Sequence, residues 1–181
     1  HGWSYVNVDD FWMHSPEKGR KNFGPGRDAQ GELLPADTFG DMKALADYIH
    51  AKGLKAGLYS VPSATACCYT HGSWQNEAKD AETWCAWGYD LIKYDWCYGG
   101  RHFPGRGTRR EWQIDRFSLM GRLLAAQPRD MVYNVCNYGM EGVREWARSA
   151  GGHYWRTNGD LVDEWPSLIK TIDANLEGGE A

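Results

Sequence analysis

The stretch D-A-E-T-W-C-A-W-G-Y-D-L-I-K-Y-D-W-C, residues 80–97, holds the end of one helix and the whole of the next strand. Ala78, Ala81, Trp84 and Cys85 recur at helical spacing over about 75–87, and Gly88 stands where a helix stops. The run L-I-K-Y-D-W (91–96) is short and largely apolar, as a buried strand should be. Its polar members, Lys93 and Asp95, share one face by the period of two. A helix closed by glycine and followed at once by a strand ending in an acid is one beat of an alternating α/β chain.

The same beat runs outward in both directions. Upstream, W-S-Y-V-N-V (3–8) reads as a buried strand, and a Gly/Pro/charged loop fills roughly 14–38. Met42, Leu45, Ala46 and Ile49 predict a helix over 41–52, with Asp41 as N-cap and Gly53 at C′. Residues 54–60 (L-K-A-G-L-Y-S) predict the next strand. Downstream, a Gly-rich loop (99–107) leads to a helix at about 111–126 and a strand at 131–136. A helix at about 141–149, a strand at 153–157 and a last helix near 165–176, with Pro166 in its first turn, complete the pattern. Five consecutive strand–helix units without a hairpin signal imply a parallel sheet with helical crossovers.

A dinucleotide-binding sheet would carry G-x-G-x-x-G after a strand, and neither that motif nor a P-loop occurs. Polar residues instead crowd the C-terminal end of every strand: Asn7, Asp9 and Asp10; Tyr59; Lys93 and Asp95; Asn137; Arg156 and Asp160. Barrel enzymes assemble their sites from several strands at that rim. The expected fold is therefore α/β, a partial (β/α)8 TIM barrel with five of its eight units in view. A first strand beginning two residues from His1, and a Glu/Gly-rich stretch from Asn175 to Ala181, lead us to expect that residues 1–181 are a fragment of one catalytic domain.

Composition narrows the chemistry. With 42% hydrophobic and 24% charged residues and a net charge of -4, the chain is globular. No run of about 18 apolar residues exists, so no spanning helix is expected. Basic residues are scattered, apart from Arg109-Arg110, which disfavours nucleic acid as a partner. The aromatic share of 14% suits a polar ring ligand such as a carbohydrate. The five cysteines (67, 68, 85, 97 and 136) are odd in number and show no zinc-ligand spacing. They leave the compartment open, a secreted or periplasmic setting included.

Two carboxylates on separate strands, facing one cavity with cations and aromatics, suit glycoside hydrolysis: one attacks the anomeric carbon and the other protonates the leaving oxygen. Asp95 beside Lys93 suits the nucleophile, because a nearby cation favours the ionised form. Asp160, four residues after Arg156, suits the acid/base. Asp9 and Asp10, followed by Trp12, would fix vicinal hydroxyls, although neighbouring strand residues face opposite ways. Divalent metal binding by these aspartates is the competing reading. Lys93 and Arg156 in the same mouth would repel a cation, so neither metal nor cofactor is expected.

The runs Y-V-N-V-D-D-F-W (5–12), D-Y-I-H-A-K-G-L-K-A-G-L-Y-S (47–60), residues 80–97 and W-R-T-N-G-D-L-V-D-E-W (155–165) strongly resemble the melibiases, the α-galactosidases of glycoside hydrolase family 27. The resemblance covers nearly the whole chain. It implies a retaining α-galactosidase with Asp95 as nucleophile, Asp160 as acid/base, and Asp9, Asp10, Trp12, Tyr59, Lys93, Asn137 and Arg156 binding the sugar. It also implies a Cys67–Cys97 disulfide, and that the first barrel strand and the last two lie outside this chain. Two positions depart from the family: Phe11 replaces a cysteine, and Asn137 stands where many members have a glutamate. An amide there leaves the 2-substituent open, so 2-acetamido-galactose, β-L-arabinopyranose and α-glucan remain alternatives. A barrel that binds sugar without catalysis is a further one.

Overall fold

The computed structural model describes residues 2–176. Its strands are β1 (Tyr5–Asn7), β2 (Lys55–Ser60), β3 (Leu91–Asp95), β4 (Val132–Cys136) and β5 (Tyr154–Trp155). Each is followed by a helix: α1 (Met42–Ala51), α2 (Glu77–Trp87), α3 (Arg109–Ala125), α4 (Val143–Trp146) and α5 (Trp165–Leu176). All neighbouring strands pair in parallel and in chain order, β1-β2-β3-β4-β5. This is the partial TIM barrel expected.

Local sequence explains the element ends. The Asp41 carboxylate accepts from Ala44 N and caps α1, while α3 begins with a capping box in which Thr108 and Glu111 satisfy each other's backbone N–H groups. Gly88 adopts φ 88° and ends α2, a conformation that costs glycine little.

The period of two sorts β3 cleanly. Ile92 and Tyr94 face the helices, where Tyr94 meets the Phe117 ring of α3 at 6.0 Å between centroids. Leu91, Lys93 and Asp95 face the barrel interior. β4 is sorted the same way: Tyr133 donates its hydroxyl to Phe117 O on the helix side, so Asn134 and Cys136 face inward.

Three expectations about local structure are corrected. The first strand is three residues long and not buried: it lies at a sheet edge, with Val6 41% exposed and Trp3 86% exposed. The buried face of α2 is Glu77, Asp80, Ala81, Thr83 and Trp84, whereas Ala78 is exposed. The face is rotated because Asp80 turns inward to meet Arg27, whose Nη1 and Nη2 donate to its carboxylate at 2.6 and 2.9 Å. The helix anticipated at 141–149 is a 3-10 turn, Met140–Gly142, followed by the single α turn of α4. Left-handed Glu141 and Gly142 interrupt it.

Candidate active site

The C-terminal ends of the five strands open into one mouth. Parallel register puts Tyr59 beside Lys93 and, one layer higher, Asp95 beside Cys136. Lys93 Nζ stands 5.1 Å from the Tyr59 ring centroid. It donates to Asp9 Oδ2 at 2.7 Å, which ties β1 to β3 across the mouth. Burial pulls the Lys93 ammonium down, but the hydrogen bond and charge of Asp9 outweigh it and raise the group above the usual lysine range.

Asp95 lies at the end of β3 and is 5% exposed. Burial pushes its carboxyl above the ordinary aspartate range, opposed by the Tyr138 hydroxyl, by the charge of Lys93 and by Cys97 N–H. Lys93 therefore acts on Asp95 through its field, while its direct partner is Asp9. Asp160 sits outside β5, with its side chain exposed, and accepts from Arg156 Nη1 at 2.7 Å. The same Nη1 lies 3.9 Å from Cys136 Sγ, so Arg156 spans from the acid on one side to the residue paired with Asp95 on the other.

Asp9 and Asp10, both beyond the end of β1, part company because each finds a different partner. Asp9 enters the mouth. Asp10 turns to the loop after β2, where Oδ2 accepts from Cys68 N at 2.9 Å and Oδ1 from Thr70 Oγ1 at 2.6 Å. The adjacent Cys67 bridges to Cys97 with a Cα–Cα distance of 5.4 Å, leaving Cys68 free and exposed. The loop that holds Asp10 is thus fastened to the strand that carries Asp95. A bridge of sequence separation 30 is worth about 3–4 kcal/mol in the chain-entropy picture. Cys67→Ser should lower the unfolding free energy of the complete protein by that amount in a denaturant titration, and Cys68→Ser should leave it unchanged.

Two anticipated sugar-binding residues are not in the mouth. Trp12 is fully buried, its indole N–H donated to Tyr59 O at 2.8 Å and its ring set edge-on to Trp87. It is a core residue, because the carbonyl that satisfies it belongs to β2 itself. Asn137 is also fully buried and faces the helix layer, where Nδ2 donates to Gln113 Oε1 of α3 at 2.9 Å and to Met140 O at 2.7 Å. The parity of β4 decides this: with Cys136 inward, the next side chain points outward.

Cys136 and Tyr138 occupy the places that reading from the sequence missed. Burial first, then the charge of Asp95, pushes the Cys136 thiol up to about 12, so it faces the mouth as a neutral thiol. Counting alternation back from Asp95 through the parallel register would have found it. Tyr138 enters the mouth from the turn just beyond β4, where its backbone adopts φ 61°.

Among the described residues, no group of three or more His, Cys, Asp or Glu side chains stands where it could hold a metal ion. None of the described helices is long and apolar enough to cross a membrane.

The melibiase family described as alpha galactosidase A matches residues 1–179. The chain is 36% identical over 170 residues to an α-galactosidase of Coffea arabica, covering 92% of this chain and 40% of that protein. It is 36% identical over 177 residues to α-galactosidase 2 of Arabidopsis thaliana, covering 96% and 40%. It therefore spans about two fifths of the length of these curated relatives. Among solved structures, α-galactosidase I of Mortierella vinacea superposes with a TM-score of 0.76 at 35% identity, covering 90% of this chain and 38% of that one. The α-galactosidase of Saccharomyces cerevisiae with raffinose superposes with a TM-score of 0.76 at 27% identity, covering 90% and 33%. With its parallel barrel strands and the acids at their C-terminal rim, the chain belongs to the α-galactosidase A family of melibiases, glycoside hydrolase family 27.

Proposed function

We propose that this chain carries the catalytic mouth of a retaining α-galactosidase that releases terminal α-D-galactose by double displacement. Asp95 attacks the anomeric carbon as the glycosidic bond breaks, and Asp160 gives its proton to the leaving oxygen. The galactosyl ester on Asp95 is then opened by water, which Asp160 deprotonates, so two inversions give net retention. Lys93 donates and Asp9 accepts hydrogen bonds to the sugar hydroxyls, and Arg156 holds Asp160 at the opposite wall.

The observation that carries this reading is the pairing of a buried carboxylate on β3 with an exposed one beyond β5, linked through Arg156 and Cys136. The exposed Asp160 can exchange its proton with water, whereas the buried Asp95 is shielded and directed inward. Family membership and the raffinose complex of the yeast relative support a galactoside as substrate.

A panel of nitrophenyl glycosides offered to the complete protein tests the sugar. Turnover should be greatest on the α-D-galactoside, ahead of the 2-acetamido-α-galactoside, β-L-arabinopyranoside and α-glucoside, and raffinose should be cleaved. Proton NMR of the first-formed sugar should show α-galactose. An initial β-anomer would remove the double displacement, and binding of galactose without turnover of any substrate would leave only a sugar-binding barrel.

A further inference from the structure

After β4 the chain leaves the barrel through two successive left-handed residues, Tyr138 (φ 61°) and Gly139 (φ 81°). Tyrosine adopts that conformation only where its surroundings hold it there. The clamp here is Asn137. Its buried amide donates to Gln113 Oε1 and Met140 O, and its Oδ1 accepts from Gly139 N at 3.3 Å. Gly139 seals the corner against the loop beyond β5: a Cβ there would fall 2.0 Å from Thr157 O.

The corner aims one hydroxyl. Tyr138 OH donates to Asp95 Oδ1 and lies 3.2 Å from Cys97 Sγ, while the Arg156 guanidinium stands 5.2 Å from the Tyr138 ring centroid. Cys97 N also donates to Oδ1, at 3.2 Å. Both hydrogen bonds to Asp95 among the described residues thus fall on the same oxygen, and Oδ2 takes none.

We propose that Tyr138 is the positioning residue of the nucleophile, pinning Asp95 Oδ1 from a corner clamped by Asn137 and Gln113 so that Oδ2 is the attacking atom. The proposal rests on Asp95 being the nucleophile. An atom with two donors is the poorer nucleophile of the pair, and fixing it sets the orientation of the other. The tether also favours the ionised form of a carboxyl that burial pushes up. The other groups around Asp95 are Asp9 and Asp10 beyond β1, Tyr59 on β2, Lys93 on its own strand, Cys136 on β4, and Arg156 with Asp160 beyond β5. Among the described residues, none of these donates a hydrogen bond to it.

The test is the pH dependence of kcat/KM on 4-nitrophenyl α-D-galactopyranoside for the complete protein and its Tyr138→Phe variant. Phenylalanine keeps the ring beside Arg156 and loses only the hydroxyl. The acid limb reports ionisation of Asp95 in the free enzyme. It should move up by about 1–2 pH units, the size of a hydrogen bond to a charged acceptor. On the alkaline side kcat should fall roughly tenfold with KM little changed, as expected when only the attack geometry is loosened. Gln113→Leu, which keeps the hydroxyl but frees the clamp, should move the same limb in the same direction by less. An acid limb in Tyr138→Phe that coincides with the wild type overturns the proposal. If Asp95→Ala abolishes activity in that case, the nucleophile assignment survives and the positioning role alone is lost. Full activity in Asp95→Ala would overturn both.

Discussion

Asp95→Ala in the complete protein should reduce turnover of 4-nitrophenyl α-D-galactopyranoside by on the order of 10⁴-fold or more, because Asp9 is held by Lys93 and Asp160 by Arg156, leaving no carboxylate in the nucleophile's place. Added azide should restore reaction by attacking from the vacated side, giving the β-galactosyl azide, inverted relative to the substrate. Asp160→Ala should behave differently. A nitrophenolate leaves without protonation, so the first step survives, and azide should intercept the ester to give the α-galactosyl azide. Raffinose, whose leaving group needs a proton, should lose turnover far more severely in that variant. Product NMR with and without azide separates the two roles. Comparable turnover in Asp95→Ala and wild type would remove the nucleophile assignment.

Arg27→Ala should produce the largest loss of stability of any single change away from the mouth. Arg27 joins the long loop after β1 to two other segments, through Asp80 on α2 and through Gly72 O in the loop after β2, and it also donates to Gly31 O at 2.9 Å. The Asp80 side chain is fully buried, so removing Arg27 takes away its cation and leaves only the Ser73 hydroxyl to offset the buried charge. Such losses are about 3–5 kcal/mol, read from denaturant midpoints of the complete protein. Burial already pushes the Asp80 carboxyl above the ordinary aspartate range, with Arg27 pulling it back. Without Arg27 it rises further, and the folded state then binds a proton that the unfolded state lacks. Stability of the variant should therefore recover as pH falls from neutrality toward the unfolded aspartate value of about 3.9. A deficit below about 1 kcal/mol at neutral pH would show that water or rearrangement replaces the guanidinium.

The two predictions concern residues that differed sharply in how readable they were. Asp95 and Lys93 declared themselves through local rules: two residues apart on a five-residue strand, they face one side whatever the rest of the chain does. The order of strands was equally accessible, since each strand–helix unit folds back beside its predecessor and parallel pairing follows. The caps Asp41 and Gly53 are local chemistry as well. The Cys67–Cys97 link came from family resemblance, because with five cysteines no spacing rule selects a pair.

What only the folded chain decided was where polar groups find distant partners. Arg27, in the long loop after β1, and Asp80, on α2, stand 53 positions apart, and only folding brings them together. Asp10 was divided from Asp9 by a loop 58 to 60 residues away, and Trp12 was made a core residue by a carbonyl 47 residues on. Asn137, expected in the mouth, is held in the helix layer by Gln113, 24 positions upstream, while the neighbouring Tyr138 meets Asp95 across 43 positions. Within an element, backbone geometry alone dictates which way a side chain points. Beyond its end, direction is set by whichever donor or acceptor the fold brings within reach, and the buried groups of this chain take those partners from segments tens of residues away.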